Sequence, residues 1–228
     1  MANGIGTITE IRLEPDGLSG WIACPPVLRP NPGQYLIASS PDLCEPLPRI
    51  LFPSAIQAEG IRVSAPLPVG WAAGMQLPLR GPYGHGFRMP HATRRLAVAA
   101  IDGSPARLLP LAHQALRMNA SVVVYTHQSP SGLPAEVEVL PLDLLPEAPA
   151  WADFLALETP MAQIGDVRVR LGLKPYQRLA CPAQVLVIAP MPCSGQADCG
   201  VCAIPTKDGW ALTCTDGPVF DFNVLEGG

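Results

Sequence analysis

Short stretches that alternate between polar and apolar residues fill the first ninety positions of the chain. Residues 7–13, Thr-Ile-Thr-Glu-Ile-Arg-Leu, alternate as a strand with one buried face should. Similar short runs, separated by turns rich in proline, lie at residues 20–24, 34–38, 49–52, 61–64 and 75–79. A series of short strands with turn signals between them predicts a small antiparallel β-barrel or sandwich.

The pattern changes near residue 94, where continuous apolar runs replace the alternation. Residues 96–101 form one such run and residues 120–125 form another, as expected of strands buried on both faces. Between them, residues 106–118 carry apolar side chains at helical spacing, with Pro105 at the start and Arg117 near the end. This order of elements predicts a βαβ unit and therefore a parallel sheet.

The rest of this region is less regular. Residues 137–140 are a candidate third strand, and residues 152–157 are predicted to form a short helix or turn. The α/β pattern is expected to end near residue 180, which makes it short for a complete nucleotide-binding domain. We therefore expect a reduced α/β domain after the barrel.

The composition supports a folded protein built from short elements. Of the 228 residues, 48% are hydrophobic and 15% are charged, which excludes wholesale disorder. The 28 prolines and 21 glycines disfavour long helices. A net charge of −4 argues against a general nucleic-acid binder, and an aromatic content of 6% argues against a stacking platform for single strands.

The sequence predicts a cytoplasmic protein. It contains no run of about 18 consecutive apolar residues, so no membrane-spanning helix is expected. Its first residues, Met-Ala-Asn-Gly-Ile-Gly, lack the basic patch and apolar core of a secretory signal. An odd number of cysteines, seven, also does not suggest a disulfide framework.

Four of the seven cysteines lie within twenty-two residues, at Cys193, Cys199, Cys202 and Cys214. Their spacing, C-x5-C-x2-C-x11-C, is close to that of plant-type [2Fe–2S] proteins, whereas zinc knuckles usually present two tight pairs. Glycines at positions 195 and 200 would let backbone amides turn towards cluster sulfurs. The spacing favours a [2Fe–2S] cluster, with structural zinc and unliganded thiols as alternatives.

Several motifs resemble one known family, in the right order along the chain. Pro32-Gly33-Gln34-Tyr35, the loop Gly81–Phe87 (Gly-Pro-Tyr-Gly-His-Gly-Phe) and the ending Cys214-Thr-Asp-Gly-Pro-Val-Phe220 carry the resemblance. They resemble the electron-transfer subunit of class 1B dihydroorotate dehydrogenase, an iron–sulfur flavoprotein of the ferredoxin–NADP reductase superfamily.

The resemblance implies an α+β multi-domain fold with three parts. These are a flavin-type β-barrel in residues 1–93, a reduced reductase-like α/β domain in 94–180, and a [2Fe–2S] tail in 181–228. It also implies a hetero-oligomer with a dihydroorotate dehydrogenase-type catalytic flavoprotein in pyrimidine synthesis. The chain itself would relay electrons through the cluster, and we expect no catalytic residues in it.

The resemblance implies flavin contacts at Arg49, Ser54, Gly81, Gly84 and Gly86. The family signature Arg-Pro-x-Ser is stretched here to Arg49-Ile-Leu-Phe-Pro-Ser54, so whether FAD is retained stays open. The glycine-rich nucleotide loop is replaced by Ala99-Ala-Ile-Asp102-Gly103-Ser-Pro, and a carboxylate there opposes phosphate binding. We therefore expect that NAD is not bound.

Less specific interpretations also exist for these motifs. The loop at residues 81–87 is also compatible with a plain tight connection between strands, since Gly-Pro and Gly-x-Gly are ordinary turn material. A non-redox accessory subunit with zinc, or with no metal at the cysteines, is the alternative function. The departures from the nucleotide motifs favour that alternative, and the complete set of four cysteines argues against it.

Overall fold

A computed structural model describes residues 2–14, 17–40, 47–128, 132–174 and 177–225. Within these residues the chain forms fifteen strands and three short α-helices. None of the described helices is long and apolar enough to cross a membrane. The strands divide into a seven-stranded sheet, a six-stranded sheet and a two-stranded hairpin.

The seven-stranded sheet is an antiparallel barrel that is almost closed. Its strands are β1 (Ala2–Glu14), β2 (Gly17–Ala23), β3 (Tyr35–Ala38), β4 (Arg49–Leu51), β5 (Pro53–Ile56), β6 (Gly60–Val63) and β7 (Gln76–Tyr83). They are ordered β4-β3-β7-β1-β2-β6-β5, so the two edge strands are neighbours in sequence. This confirms the predicted barrel. The alternation did not predict β5 as a separate strand. A single residue, Phe52, separates β5 from β4, and β5 starts with a proline, which is tolerated at the first position of a strand.

The six-stranded sheet contains β8 (Arg95–Ala100), β9 (Ser121–Tyr125), β10 (Glu138–Leu140), β11 (Phe154–Pro160), β12 (Ala183–Ile188) and, after the hairpin of β13 (Ala203–Thr206) and β14 (Gly209–Leu212), β15 (Val219–Asp221). The order is β10-β9-β8-β11-β12-β15, and every pair is parallel except β12 with β15. The helices of this region are α1 (Leu109–Arg117), α2 (Ala148–Trp151) and α3 (Asp166–Arg170).

The predicted βαβ unit is present. The start of its helix differs from the prediction, and a nearby strand was wrongly predicted as a helix or turn. The helix expected at residues 106–118 consists of a 3₁₀ turn, Pro105–Leu108, followed by α1. Residues 152–157, predicted as a helix or turn, instead lead into β11, a central strand buried on both faces. The sequence of a short apolar run is compatible with a helix and with a strand, because the elements packed beside it determine which of the two it adopts.

The sheet also continues beyond residue 180. Both β12 and β15 come from the predicted tail, residues 181–228, and β15 pairs with β12 at the edge of the α/β sheet. The last strand of the tail is therefore part of the α/β sheet.

One core joins all three parts of the chain. Barrel side chains (Tyr35, Phe52), one face of β8 (Leu96, Val98), helix α1 and two tail cysteines, Cys202 and Cys214, pack into a single buried cluster. Alternate residues of β8, such as Ala97 and Ala99, face a second core on the other side of the sheet. We call the first cluster the shared core. It holds the tail cysteines against the barrel.

A buried ion pair lies at the carboxyl end of β11. Glu158 is 3% exposed, and its Oε1 accepts a hydrogen bond from Arg107 at 2.5 Å. Its other oxygen, Oε2, has no hydrogen-bond partner. Burial raises the pKa of Glu158 above its ordinary value of 4.5, although the Arg107 guanidinium acts in the opposite direction.

The raised pKa makes stability depend on pH. The folded chain keeps a proton on Glu158 that the unfolded chain releases, so the free energy of unfolding falls as pH rises from about 4.5 through the raised pKa. We expect Glu158→Gln to flatten this slope in urea unfolding measured across that range, and the exposed Glu59→Gln to keep it. Equal slopes in wild type and Glu158→Gln would contradict the assignment.

Candidate metal centre

The four candidate ligand cysteines lie in the segments that connect the strands of the tail. Cys193 and Cys199 belong to the loop after β12, Cys202 directly precedes β13, and Cys214 follows β14. Cys202 and Cys214 are 1% and 3% exposed, whereas Cys193 is partly exposed and Cys199 is exposed. The hairpin of β13 and β14 thus brings two buried thiols together beside an exposed loop that carries the other two.

The thiols interact in pairs. The thiol groups of Cys193 and Cys199 are within hydrogen-bonding reach of each other, and so are those of Cys202 and Cys214. Cys193 is also close enough to Cys214 to influence its ionisation. The structure therefore arranges the four sequence-predicted ligands as two neighbouring pairs, and their role as ligands remains a prediction.

Backbone amides point at the sulfur of Cys193. The N–H groups of Gln196, Ala197 and Asp198 approach it, and that of Ala197 also approaches Cys214. The loop turns inward because Gly195 and Ala197 adopt the left-handed conformation, with φ of 73° and 63°. The slight burial of Cys193 raises its pKa, but the hydrogen bond with Cys199 and these amides outweigh it, so the pKa is lowered.

On the buried side of the site, the pKa shift has the opposite direction. Burial, the hydrogen bond with Cys202 and the nearby Cys193 raise the pKa of Cys214 to about 12. A thiolate at this position therefore needs a neighbouring positive charge, such as a bound metal. Four thiols, two of them buried, with amides directed at the sulfurs, are a donor set that fits a [2Fe–2S] cluster.

Asp198 is a further possible donor, which the sequence analysis did not identify. Its carboxylate oxygen and the sulfurs of Cys193 and Cys199 all lie within 4.8 Å of one another. The only sequence signal was its position inside the first cysteine gap, directly before Cys199. Because zinc accepts carboxylate as well as thiolate ligands, this trio keeps the zinc alternative open.

Hydrogen bonds of the motif Thr213–Gly217 fix the spacing of the buried cysteines. The Thr213 hydroxyl and N–H both donate to the carbonyl of Cys202, at 2.8 and 3.0 Å. The Asp216 carboxylate accepts the N–H of Leu212 at 2.7 Å. Thr213 is completely buried, so its hydroxyl has found a partner inside the protein. These contacts hold Cys202 beside Cys214.

Two barrel motifs pack against the tail. The N–H of His85 donates to the carbonyl of Gly217 at 2.6 Å, and His85 Nδ1 lies 2.9 Å from the carbonyl oxygen of Asp216. Gln34 Nε2 donates to the carbonyl of Gly84 at 2.9 Å, and the Phe87 N–H donates to Pro32 at 2.9 Å. We call the contact between residues 31–34, 84–87 and 216–219 the seam.

Close packing, in the seam for Gly84 and Gly86 and within the barrel for Gly81, accounts for the glycines that the resemblance assigned to flavin binding. A Cβ on Gly84 would lie 2.4 Å from Cδ of Pro218, and one on Gly86 would lie 2.6 Å from the carbonyl oxygen of Pro32. One on Gly81 would lie 2.6 Å from Cδ2 of Leu36. Close packing alone therefore requires a glycine at each position, and a flavin role for them remains a prediction.

Arg49 and Ser54 lie at different places on the barrel. Ser54 is buried in β5, and its hydroxyl donates to the carbonyl of Arg62 at 3.4 Å. It lines a cavity of about 210 Å³ at the junction with the α/β sheet, together with Glu14, Ser64, Asp102, Ser104 and Arg107 among the described residues. Arg49 is exposed on β4 opposite Ala38 and does not line this cavity.

This cavity does not fit a flavin or nicotinamide dinucleotide as it stands. Pockets for drug-sized ligands are usually about 300–1,000 Å³, larger than this one. Two carboxylates, Glu14 and Asp102, line it, and the Arg107 guanidinium is already paired with Glu158. A pyrophosphate would meet the Asp102 carboxylate here, beside two existing ion pairs, Glu14 with Arg62 and Glu158 with Arg107.

Comparison with known protein families identifies the tail. Residues 195–226 match the family model of the iron–sulfur cluster binding domain of dihydroorotate dehydrogenase B. The tail matches a cluster-binding domain. The matched range includes Cys199, Cys202 and Cys214, while Cys193 lies just before it. A comparison with curated protein sequences finds no match.

Solved structures show the same fold as the whole chain. An NADH-dependent reduced ferredoxin-NADP oxidoreductase has a TM-score of 0.74 and 17% identity, covering 98% of this chain and 90% of its own. Phthalate dioxygenase reductase has a TM-score of 0.55 and 11% identity, covering 96% and 76%. A ferredoxin NADP+ reductase from Neisseria gonorrhoeae has a TM-score of 0.57 and 13% identity, covering 81% and 98%. The chain therefore has a ferredoxin reductase fold joined to an iron–sulfur domain.

The seam predicts that Gly84→Ala destabilises the protein more than a matched glycine substitution does. Gly74 also has a left-handed φ, of +90°, but a Cβ there meets nothing within 4 Å. We expect Gly74→Ala to lower the free energy of unfolding by about 1 kcal/mol through backbone strain. Gly84→Ala should lose about 1–3 kcal/mol more through overpacking against Pro218.

Urea unfolding of both variants measures this difference. Equal losses in Gly84→Ala and Gly74→Ala would show that contact with the tail contributes nothing to stability.

Proposed function

We propose that this chain is an electron-transfer subunit that holds a [2Fe–2S] cluster through Cys193, Cys199, Cys202 and Cys214. The observation that carries the proposal is the convergence of these thiols with backbone amides directed at Cys193. The family match of the tail supports the same conclusion. When bound, such a cluster supplies one-electron transfer, so two successive transfers empty a reduced two-electron flavin.

The residues of the chain prepare the site in two ways. Cys202 and Cys214 hold the inner side of the site within the shared core, where low polarity and the absence of water strengthen nearby hydrogen bonds. The amides of residues 196–198 face the outer side and favour negative charge on sulfur. No proton needs to be transferred by the chain at either step.

The exposed side of the site is where we propose that a partner docks. Cys199 is exposed, and the nearby Val201 and Trp210 are 46% and 77% exposed. Trp210 lies on β14, two residues before Leu212, on the hairpin whose base holds Cys202 and Cys214. Large exposed aromatic side chains are typical anchors of protein interfaces.

The partner that we propose is the flavin-containing catalytic subunit of a dihydroorotate dehydrogenase, in pyrimidine synthesis. The support is the family to which the tail model belongs and the motifs of the seam. Electrons would leave the partner's reduced flavin one at a time, pass through the cluster and continue to a separate acceptor. The paired thiols of the tail are the ligands that this chain offers for that route.

A second candidate is a non-redox accessory subunit that holds zinc. It is favoured by the trio of Cys193, Asp198 and Cys199, whose donor atoms lie within 4.8 Å of each other. Metal and sulfide analysis of protein purified without oxygen separates the two functions. Two irons and two sulfides per chain support the relay, and one zinc without sulfide supports the accessory subunit.

The relay predicts which cysteine substitutions remove the cluster. Cys202→Ser should abolish visible absorption that dithionite bleaches, because it replaces a buried ligand in the shared core. Cys181→Ser is the matched control, since Cys181 is also buried but packs into the second core. Full iron and sulfide content in Cys202→Ser would contradict the proposed ligand set.

The docking surface predicts a loss of partner binding when Trp210 is shortened. Trp210→Ala should weaken binding to a dihydroorotate dehydrogenase catalytic subunit by about 30-fold, the effect of a typical interface anchor of about 2 kcal/mol. Val69→Ala, at a barrel residue that is 90% exposed, should leave the affinity unchanged. Isothermal calorimetry measures both, and an unchanged affinity in Trp210→Ala would place the interface elsewhere.

A further inference from the structure

The hydroxyl of Tyr35 touches the cysteine site from the barrel side. Tyr35 is completely buried, and its Oη donates to the carbonyl of Cys214 at 3.2 Å. A Cβ on Gly195 would lie only 3.1 Å from the same Oη. One hydroxyl therefore donates to the backbone of the last cysteine and lies beside the loop that follows the first.

Tyr35 is held rigidly in this position. It begins β3 of the barrel, 179 residues before Cys214 in sequence. Its ring is stacked on Tyr83 with centroids 5.8 Å apart, and it packs at an angle of 51° against Phe52, 5.5 Å away. Aromatic contacts on two sides leave the ring no room to change rotamer inside a close-packed core.

Phenylalanine would fill the same space in the core, but only tyrosine has a hydroxyl that donates to the Cys214 carbonyl. A buried hydroxyl that lacks a hydrogen-bond partner destabilises a protein, so tyrosine is favourable here only because the Cys214 carbonyl accepts its proton. The positive end of the O–H dipole consequently points at the backbone of a cluster ligand. Such dipoles stabilise the negative charge that a metal site gains on reduction.

We propose that Tyr35 is a positioning residue whose hydroxyl fixes the ligand loop and raises the reduction potential of the group bound there. This inference rests on the proposed function, because the group is the [2Fe–2S] cluster. A residue of the barrel then acts on the cluster through its hydrogen bond to the backbone of Cys214.

Tyr35→Phe tests the inference because it removes the hydroxyl and keeps the ring. In the full chain purified without oxygen, we expect unchanged iron and sulfide content and a more negative midpoint potential in a redox titration followed by visible and electron paramagnetic resonance spectra. We expect about a fivefold change in the reduction equilibrium, or about 40 mV for a one-electron couple, because the hydrogen bond is stronger when the bound group is reduced. Tyr125→Phe, at a buried tyrosine of the second core, should keep the wild-type potential.

Hydrogen exchange at residues 194–197 provides a second measurement that needs no cluster. Faster exchange there in Tyr35→Phe, but not in Tyr125→Phe, supports the positioning role even in a variant that has lost its iron. An unchanged potential in a Tyr35→Phe protein with full cluster content overturns the inference. If that variant lacks the cluster, unchanged exchange overturns it.

Failure of the proposed function is recognised separately, in the wild-type protein. A wild-type chain without iron and sulfide would end the relay proposal, and the exchange measurement on the same apoprotein would then decide the positioning role of Tyr35.

Discussion

The packing of the tail against the barrel is the constraint on which the site depends. The tail contains little regular structure: strands β12 and β15 and one hairpin, joined by loops that carry the cysteines. Loops of this kind have few internal contacts with which to hold four thiols in place. The seam supplies these contacts, because His85 binds the carbonyls of Asp216 and Gly217 while Gly84 admits Pro218. The geometry of the cysteines is therefore fixed largely by residues more than one hundred positions earlier.

This arrangement gives the site an inner and an outer side with opposite electrostatic properties. On the inner side, burial raises the pKa of Cys214, so the thiol is favoured until a positive charge arrives. On the outer side, amides and the neighbouring Cys199 lower the pKa of Cys193. A metal arriving from solvent would thus meet the readily ionised thiol first and the buried pair afterwards. This order of binding follows from the exposure of Cys193 and the burial of Cys202 and Cys214.

The sequence predicts the architecture well and the contacts between its parts poorly. Alternation over residues 7–79 predicts the barrel, and the spacing of Cys199, Cys202 and Cys214 predicts a cluster domain, because both signals are local. Residues 152–157 were misassigned because a short apolar run acquires its structure from the strands on either side. Asp198 and Tyr35 were missed for a related reason. Their proximity to the cysteines comes from a folded loop and a contact across 179 residues, which no local pattern encodes.

The altered nucleotide loop and the complete cysteine set are compatible within one fold. Strand β15 of the tail pairs only with β12 among the described strands, and β12 is held by β11 at the centre of the α/β sheet. Removing that sheet would leave β15 without a partner and would also remove the face of β8 that packs into the shared core. The sheet is thus required to support the tail even if its loops bind no dinucleotide.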